Sequence, residues 1–274
     1  ENNVQNDLSV EQLKFLNEDT FFGNEKTPLS YVMGVMNMIL HKIEAPNISK
    51  ANTLTKDIRG LEEKDRFDYI IANPPFGGKE KSQIQQNFPI KSNATELLFL
   101  QHMMSSLKLN GKCGLVVPEG VLFQSNNAFQ SVKKDLLERF NVHTILSLPS
   151  GMFLPYSGVK TNVLFFDRSG STSDIYFYEV NPPYKLTKNK PILFEHFKEF
   201  LECWGKRKLT ENSWVVNVSD VKDYDISAKN PNKIETIEHK SPIELVENIK
   251  GNNNEINGLM DEIETVLIGK DIDE

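Results

Sequence analysis

From about residue 20 to residue 150 the chain alternates short apolar runs with stretches whose apolar residues recur at helical spacing, and this alternation most narrows the folds open to it. The runs "TFFGNE" (20–25), a short one near Ile48, "FDYIIA", "CGLVVPEGVLF" and "VHTILSLP" read as strands, most of them buried. Between them, "PLSYVMGVMNMILHKI" places Pro28 at a first helical position. "ATELLFLQHMMSSLKLNGK" reads as a helix closed by Asn110-Gly111, and "NAFQSVKKDLLERFN" as another. The expected fold is α/β, a doubly wound and mostly parallel sheet that binds ligands beyond the carboxyl ends of its strands. After residue 150 strands cluster, and "GVKTNVLFFDRS" and "SDIYFYEV" read as a strand pair. The expected divisions are 1–180 for the α/β domain, 181–241 for a loop-rich extension, and 242–274 for a helical tail. Within that tail a polar Gly-Asn stretch separates two helical pieces.

Composition excludes several classes. Lys and Arg number 31 against 38 Asp and Glu, a formal charge of −7. A free-standing nucleic-acid binder is usually basic, so a partner would have to supply much of any phosphate contact. Cys113 and Cys203 show no ligand spacing, which makes them reduced thiols, and no metal site is expected. No apolar run is long enough to span a membrane, and the polar start carries no signal peptide, so the expected location is the cytoplasm.

One tetrapeptide carries chemistry. Asn73-Pro74-Pro75-Phe76 follows the apolar run "FDYIIA" and precedes "GGKE". Prolines fix φ and remove backbone donors, so the loop is stiff and presents carbonyl oxygens. The Asn73 side chain adds another acceptor. Together these can hold both hydrogens of an exocyclic amine or planar amide. Such a nitrogen is a poor nucleophile while its lone pair is delocalised; two acceptors favour a more tetrahedral nitrogen whose lone pair can attack an electrophilic methyl. Phe76 offers a stacking face worth about 1–3 kcal/mol to a base. In duplex DNA the amine is reached only by flipping the nucleotide out. A second copy, Asn181-Pro182-Pro183-Tyr184, lies in different surroundings and reads as a turn after a late strand.

The ordered set "FFGNEKTPLSYVMGVMNMILHKI", "ANTL", "DYIIANPPFGG", "NFPIKSNATELLFLQHMMSSLK", "GKCGLVVPEGVLF", "LPSGMFLPYSGVKTNVLFF" and "DYDISAKNP" resembles the modification (methyltransferase) subunit of type I restriction-modification systems. The resemblance implies a Rossmann-like methyltransferase sheet, S-adenosyl-L-methionine as cofactor, and methyl transfer to N6 of adenine in DNA. It implies that 1–180 is the catalytic domain, in part, with Asn73, Pro74, Pro75 and Phe76 catalytic. It assigns Glu25 to the cofactor's ribose hydroxyls and Asn52 to its adenine, with Pro28 and Leu54 flanking the ring. The partners implied are double-stranded DNA with a flipped adenine, a specificity subunit and a restriction subunit. The family's glycine-rich cofactor loop, which follows its first strand, has no match here, so the chain resembles a carboxyl-terminal part with impaired activity alone. Enzymes that methylate RNA or protein glutamine use similar loops, and a non-catalytic assembly module is a third reading. Among other candidates, Thr95 and Glu96 read as a helix N-cap, His143 as a packed core residue, and Lys79, Lys81 and Lys160 as loop cations within reach of phosphate. From Ile256 the tail's apolar residues fall at i, i+3, i+4, i+7, i+10, i+11, an amphipathic stripe that either packs on the parent domain or, as the resemblance implies, docks helices of the specificity subunit.

Overall fold

The structure is a computed structural model in which residues 8–233 and 242–270 are described. Ser9 starts helix α1 (Val10–Glu18) with a capping box, its hydroxyl accepting from the Gln12 amide while the Gln12 side chain accepts from the Ser9 amide. Strand β1 (Phe22–Asn24), helix α2 (Pro28–Leu40) and strand β2 (Asn47–Ser49) follow. β1 and β2 pair in parallel as a two-stranded sheet of their own. Contrary to the expectation of a buried strand, Phe22 is 53% exposed. No residue of α2 is buried, and Leu29, Met33 and Met36 all face out.

The main sheet has six strands, β3 (Phe67–Ala72), β4 (Leu107–Pro118), β5 (Asn141–Ser147), β6 (Thr161–Asp167), β7 (Asp174–Glu179) and β8 (Ser213–Asn217), in the order β3-β4-β6-β5-β7-β8. Between β3 and β4 lie the short α3 (Ser82–Gln85) and α4 (Thr95–Ser105). Between β4 and β5 lie α5 (Gly120–Phe123) and α6 (Asn127–Arg139), and α7 (Lys198–Trp204) precedes β8. The class is α/β, but the sheet is mixed rather than mostly parallel. β3/β4 and β5/β7 are parallel; β4/β6, β5/β6 and β7/β8 are antiparallel. No helix separates β5 from β6, so β6 turns straight back beside β5, which a parallel crossover could not do. For the same reason β6 and β7 are not the expected pair, since β5 lies between them. Alternation shows which face a residue takes and says nothing of its neighbour strand.

The Asn110-Gly111 signal also has a different cause. α4 ends at Ser105, and Asn110 (φ 61°) and Gly111 lie inside β4. There the register jumps from Phe67 opposite Leu107 to Tyr69 opposite Lys112, a bulge. A Cβ on Gly111 would stand 2.9–3.2 Å from the carbonyl oxygens of Lys108, Phe67 and Asp68, so only glycine lets the two strands approach.

Helices cover one face of the sheet, and the other is covered over β5, β6 and β7. Leu97 and Leu100 of α4 and Val132 and Leu136 of α6 pack on Leu115, Ile145, Leu164, Ile175 and Phe177. On the other face Tyr176 and Tyr178 meet Phe200 and Cys203 of α7. β7 thus sends alternate residues to opposite cores. Cys113 and Cys203 are buried free thiols, and burial pushes the Cys113 thiol up. His143 is packed as expected, stacked with Phe165 and Trp204 at 6.4 Å each. Lys133, fully buried on α6, donates to the carbonyls of Leu122 and Gln124 and so fixes the exit loop of β4. The chain divides into two compact units, Glu1–Asn232 and Lys233–Glu274. In the second, helix α8 (Pro242–Lys270) is a single continuous helix, not two pieces. The polar residues at 251–254 sit on its faces without breaking it. No described helix is long and apolar enough to cross a membrane.

His102 of α4 is buried, its Nδ1 has no hydrogen-bond partner, and burial, aided by the Lys56 charge, holds its pKa down to about 4. Folded His102 is therefore neutral where unfolded histidine takes a proton, so its contribution is complete above pH ~6.5 and is lost as pH falls toward 4. The loss amounts to about 3 kcal/mol. Urea unfolding across this range is expected to give a wild-type curve that falls more steeply with acid than that of His102→Leu. Parallel curves would mean that His102 is protonated in the folded protein.

Candidate active site

Among the described strands β3 pairs with β4 alone, and Tyr69 and Ile71, on the face opposite Ile70 and Ala72, are 73% and 93% exposed. At its carboxyl end the chain enters Asn73-Pro74-Pro75-Phe76. Asn73 is exposed, and no described residue hydrogen-bonds its side chain. The loop is held from behind. Gly77 adopts φ 71°, Lys79 bridges Ala94, the Glu80 amide donates to the Asn93 carbonyl, and the Thr95 amide donates to the Gly78 carbonyl. Thr95 does not cap α4 as expected; Ala94 is the N-cap, and buried Thr95 instead packs on Gly78.

Phe76 is half-buried and meets Phe153 edge-on, ring centroids 5.5 Å apart. Phe153 comes from the loop that joins β5 to β6, so two aromatic rings from different loops meet three residues beyond Asn73. The sequence reading gave Phe153 no role; its signal was the glycine-flanked "SGMFLPYSG" between two apolar strands. On the same edge Glu119, after β4, pairs with Lys160 at 2.7 Å, and the Glu119 amide donates to the Lys160 carbonyl. Lys160 is thus bound to a carboxylate rather than free for phosphate.

The second copy lies after β7, which runs in the same direction as β3 but four strands away, roughly 19 Å at the usual spacing. There Asn181 donates to the Asn212 side chain at 2.8 Å, and the Tyr184 hydroxyl donates to the Pro191 carbonyl at 3.1 Å. Its polar groups are spent on its own turn and on the segment before β8.

The carboxyl ends of β1 and β2 bring Glu25 and Asn52 together. The Glu25 amide donates to the Ser49 carbonyl, and the Ala51 amide to the Glu25 carbonyl. Glu25 Oε1 accepts from the Thr27 amide just before Pro28 starts α2, which leaves Oε2 for a ligand. Asn52 Oδ1 accepts from the Leu54 amide, and its Nδ2 remains. Leu54 is 1% exposed and packs with Ile58, Leu61, Phe88 and Leu98, so its side chain belongs to that core. Asn87, unremarked in the sequence, ties this turn to the chain beyond the Asn73 loop. Its side chain donates to the carbonyls of Leu54 and Thr55, and its own carbonyl accepts from the Ile58 amide. Phe22 of β1 meets Phe67 of β3 at 5.6 Å.

Residues 4–241 match the family model described as N-6 DNA Methylase. The chain is 36% identical over 267 residues to the methylase subunit of the type I restriction enzyme EcoEI of Escherichia coli, covering 91% of this chain and 53% of that one. Among solved structures it is similar to a chain from a study of complex assembly and conformational transition of the type I R-M system, with a TM-score of 0.80, 44% identity, and 96% of this chain on 57% of that one. The type I restriction enzyme EcoKI M protein superposes with a TM-score of 0.72 at 25% identity over 83% of this chain and 56% of that one. The chain therefore spans about half the length of the curated relatives it matches.

A Cβ on Gly78 would lie 2.4 Å from Thr95 Oγ1 and 3.1 Å from Thr95 Cβ. Gly78→Ala is expected to destabilise the protein by about 1–3 kcal/mol, and Thr95→Ala in the same chain should return part of that loss. Thermal unfolding of the two single variants and the double variant measures the coupling. Additive effects would place the strain elsewhere.

Proposed function

The chain belongs to the N-6 DNA methylase family, and from that premise we propose that it is part of a type I modification subunit that methylates N6 of adenine in DNA with S-adenosyl-L-methionine. The observation that carries this reading is the Asn73 side chain, exposed and uncommitted at the carboxyl end of β3, on a loop of two prolines backed by Gly78 and Thr95. In this reading Asn73 Oδ1 and a carbonyl of the Pro74-Pro75 segment accept from the two N–H bonds of the target amine. They hold its nitrogen lone pair toward the methyl group, and the amine proton leaves during or after transfer. Phe76 takes the face of the flipped base, and Phe153 braces Phe76. The cofactor, when bound, supplies the electrophilic methyl.

The residues present fit the nucleoside end of that cofactor. Glu25 Oε2 can accept from a sugar hydroxyl, the Asn52 amide can meet the adenine edge, and Pro28 can border the ring. The glycine-rich loop for the methionine end is assigned to a further strand between β1 and β3. The unpaired outer edge of β3 and the separate β1–β2 pair, whose Phe22 meets Phe67 of β3, support a strand there.

Asn73→Ala in the full-length subunit, assembled with its specificity partner, is expected to remove about 3–4 kcal/mol of transition-state stabilisation, roughly a hundred- to thousandfold in rate. Cofactor affinity should stay near wild type. Asn181→Ala is expected to methylate normally. Methyl incorporation into cognate DNA and calorimetric cofactor titration test both. Normal turnover in Asn73→Ala would overturn the site, and selective loss in Asn181→Ala would transfer it to the other copy.

The proposed specificity and restriction partners rest on the family and on α8. Along α8, Ile249, Ile256 and Ile263 recur every seven residues, with Val246 and Met260 three before Ile249 and Ile263, which gives one apolar seam. We assign that seam to helices of the specificity subunit. Deleting residues 242–274 is expected to leave circular dichroism of the α/β unit intact and to abolish co-purification with that subunit. Normal assembly would remove the docking role, and loss of folding would assign the seam to the chain's own core.

A further inference from the structure

A second concavity lies on the edge of the main sheet opposite Asn73, where β3, β4 and β5 begin and β6 ends. It encloses about 400 Å³, within the range of small-molecule sites. Ile58, Ile90 and Met104 give it an apolar wall, and four arginines line it: Arg59, Arg66, Arg139 and Arg168.

The four are not equivalent. Arg59 is occupied by Asp57, at 2.9 Å from Nε and 2.6 Å from Nη2. Arg139 holds Asp135 through Nη1 alone, at 2.9 and 3.1 Å. Arg168, just after β6, spends Nη1 on the Leu107 carbonyl at 2.8 Å and has no carboxylate within ion-pair distance among the described residues. Arg66, just before β3, is 20% exposed; its Nη2 donates to the Leu61 carbonyl at 3.5 Å and it pairs with Glu63 at 3.7 Å, but its Nε is buried with no hydrogen-bond partner. A guanidinium drawn out of water without an acceptor is costly, and each carries five donors in a planar fork.

The ends of α4 and α6 at this edge account for one cation. Arg139 lies in the last turn of α6, where the helix dipole favours positive charge. Arg66 only closes a single 3₁₀ turn (Glu63–Asp65) and Arg168 lies on a loop, so that explanation does not reach them. The chain as a whole carries −7, so four arginines around one cavity are not a product of composition.

We propose that this cavity binds a small phosphorylated ligand, its phosphate taken by Arg66 and Arg168 with Arg139 beside them, and its apolar body lying on Ile58, Ile90 and Met104. More than one cation free of a full carboxylate pairing suits a multiply charged phosphate better than a single carboxylate, and the fork geometry suits its oxygens. The enclosed size favours a free phosphate ester over a nucleic-acid backbone.

The test is calorimetric titration of the full chain with adenosine monophosphate, inorganic pyrophosphate and sodium sulfate, alongside a duplex DNA. Saturable one-to-one binding of adenosine monophosphate or pyrophosphate is expected, weakening as sodium chloride is raised. Sulfate should bind more weakly. Arg168→Gln, which keeps a donor for the Leu107 carbonyl, and Arg66→Gln should each weaken binding at least tenfold, while Lys134→Ala leaves it unchanged. Thermal unfolding checks that each variant is folded, and Arg168→Lys stands in where Arg168→Gln is not; it keeps the charge, loses the fork, and should also bind less tightly. Absence of saturable binding overturns the proposal, as does equal binding by the folded Arg66 and Arg168 variants. Binding of the duplex without the small phosphates overturns it too.

Discussion

The bulge at Asn110-Gly111 is the constraint on which the candidate site depends. Below it Phe67 stands opposite Leu107; above it Tyr69 through Ala72 stand opposite Lys112 through Leu115. A one-residue slip of β3 would turn every side chain to the other face and advance Asn73 along the sheet. Gly111 prevents the slip, because its backbone lies against the Phe67 and Asp68 carbonyls where no Cβ fits. The start of β3 thus sets the position of the loop at its end. From there Gly78 and Thr95 fix the loop's path, and Phe153 fixes the angle of Phe76.

The two Asn-Pro-Pro-aromatic copies show how little a tetrapeptide means without surroundings. Both follow strands that run in the same direction in one sheet. The Asn181 amide is paired with Asn212, and Tyr184 is tied to Pro191. Asn73 has no such partner among the described residues, and Phe76 presents a ring rather than a hydroxyl that needs an acceptor. Availability separates the two, and availability is decided by segments distant in sequence.

Charge and apolar surface are both unevenly distributed. One group of exposed apolar side chains lies on α2, β1 and β3, near the Glu25 and Asn52 turns, and others are scattered over the first unit. Its least-compensated arginines gather at the opposite edge of the sheet. The supports of the site are internal: Lys133 and the Ile226 amide both donate to the Leu122 carbonyl, and Asn87 joins the Asn52 turn to the chain beyond Phe76.

Local pattern was enough for the elements and the chemistry. Pro28 and the helical spacing after it gave α2, the apolar runs gave β3 through β7, and the rigid acceptor loop at the end of "FDYIIA" pointed to amine activation, because φ restriction and side-chain type are properties of single residues and their near neighbours. What sequence could not supply was partnership between segments. A residue's face follows from period two, but its neighbouring strand does not, so the pattern alone pairs β6 with β7 where the fold inserts β5 between them. Asn-Gly serves equally as a helix cap or a strand bulge, and only the approach of β3 decided for the bulge. Leu54, an adenine-flanking residue by resemblance, has its side chain in the core beneath the loop; Phe153, without any assigned role, stands against Phe76. Sequence determined which groups can do the chemistry; the tertiary structure decided which remain free to do it, because a donor or acceptor is available only where packing leaves it unpaired.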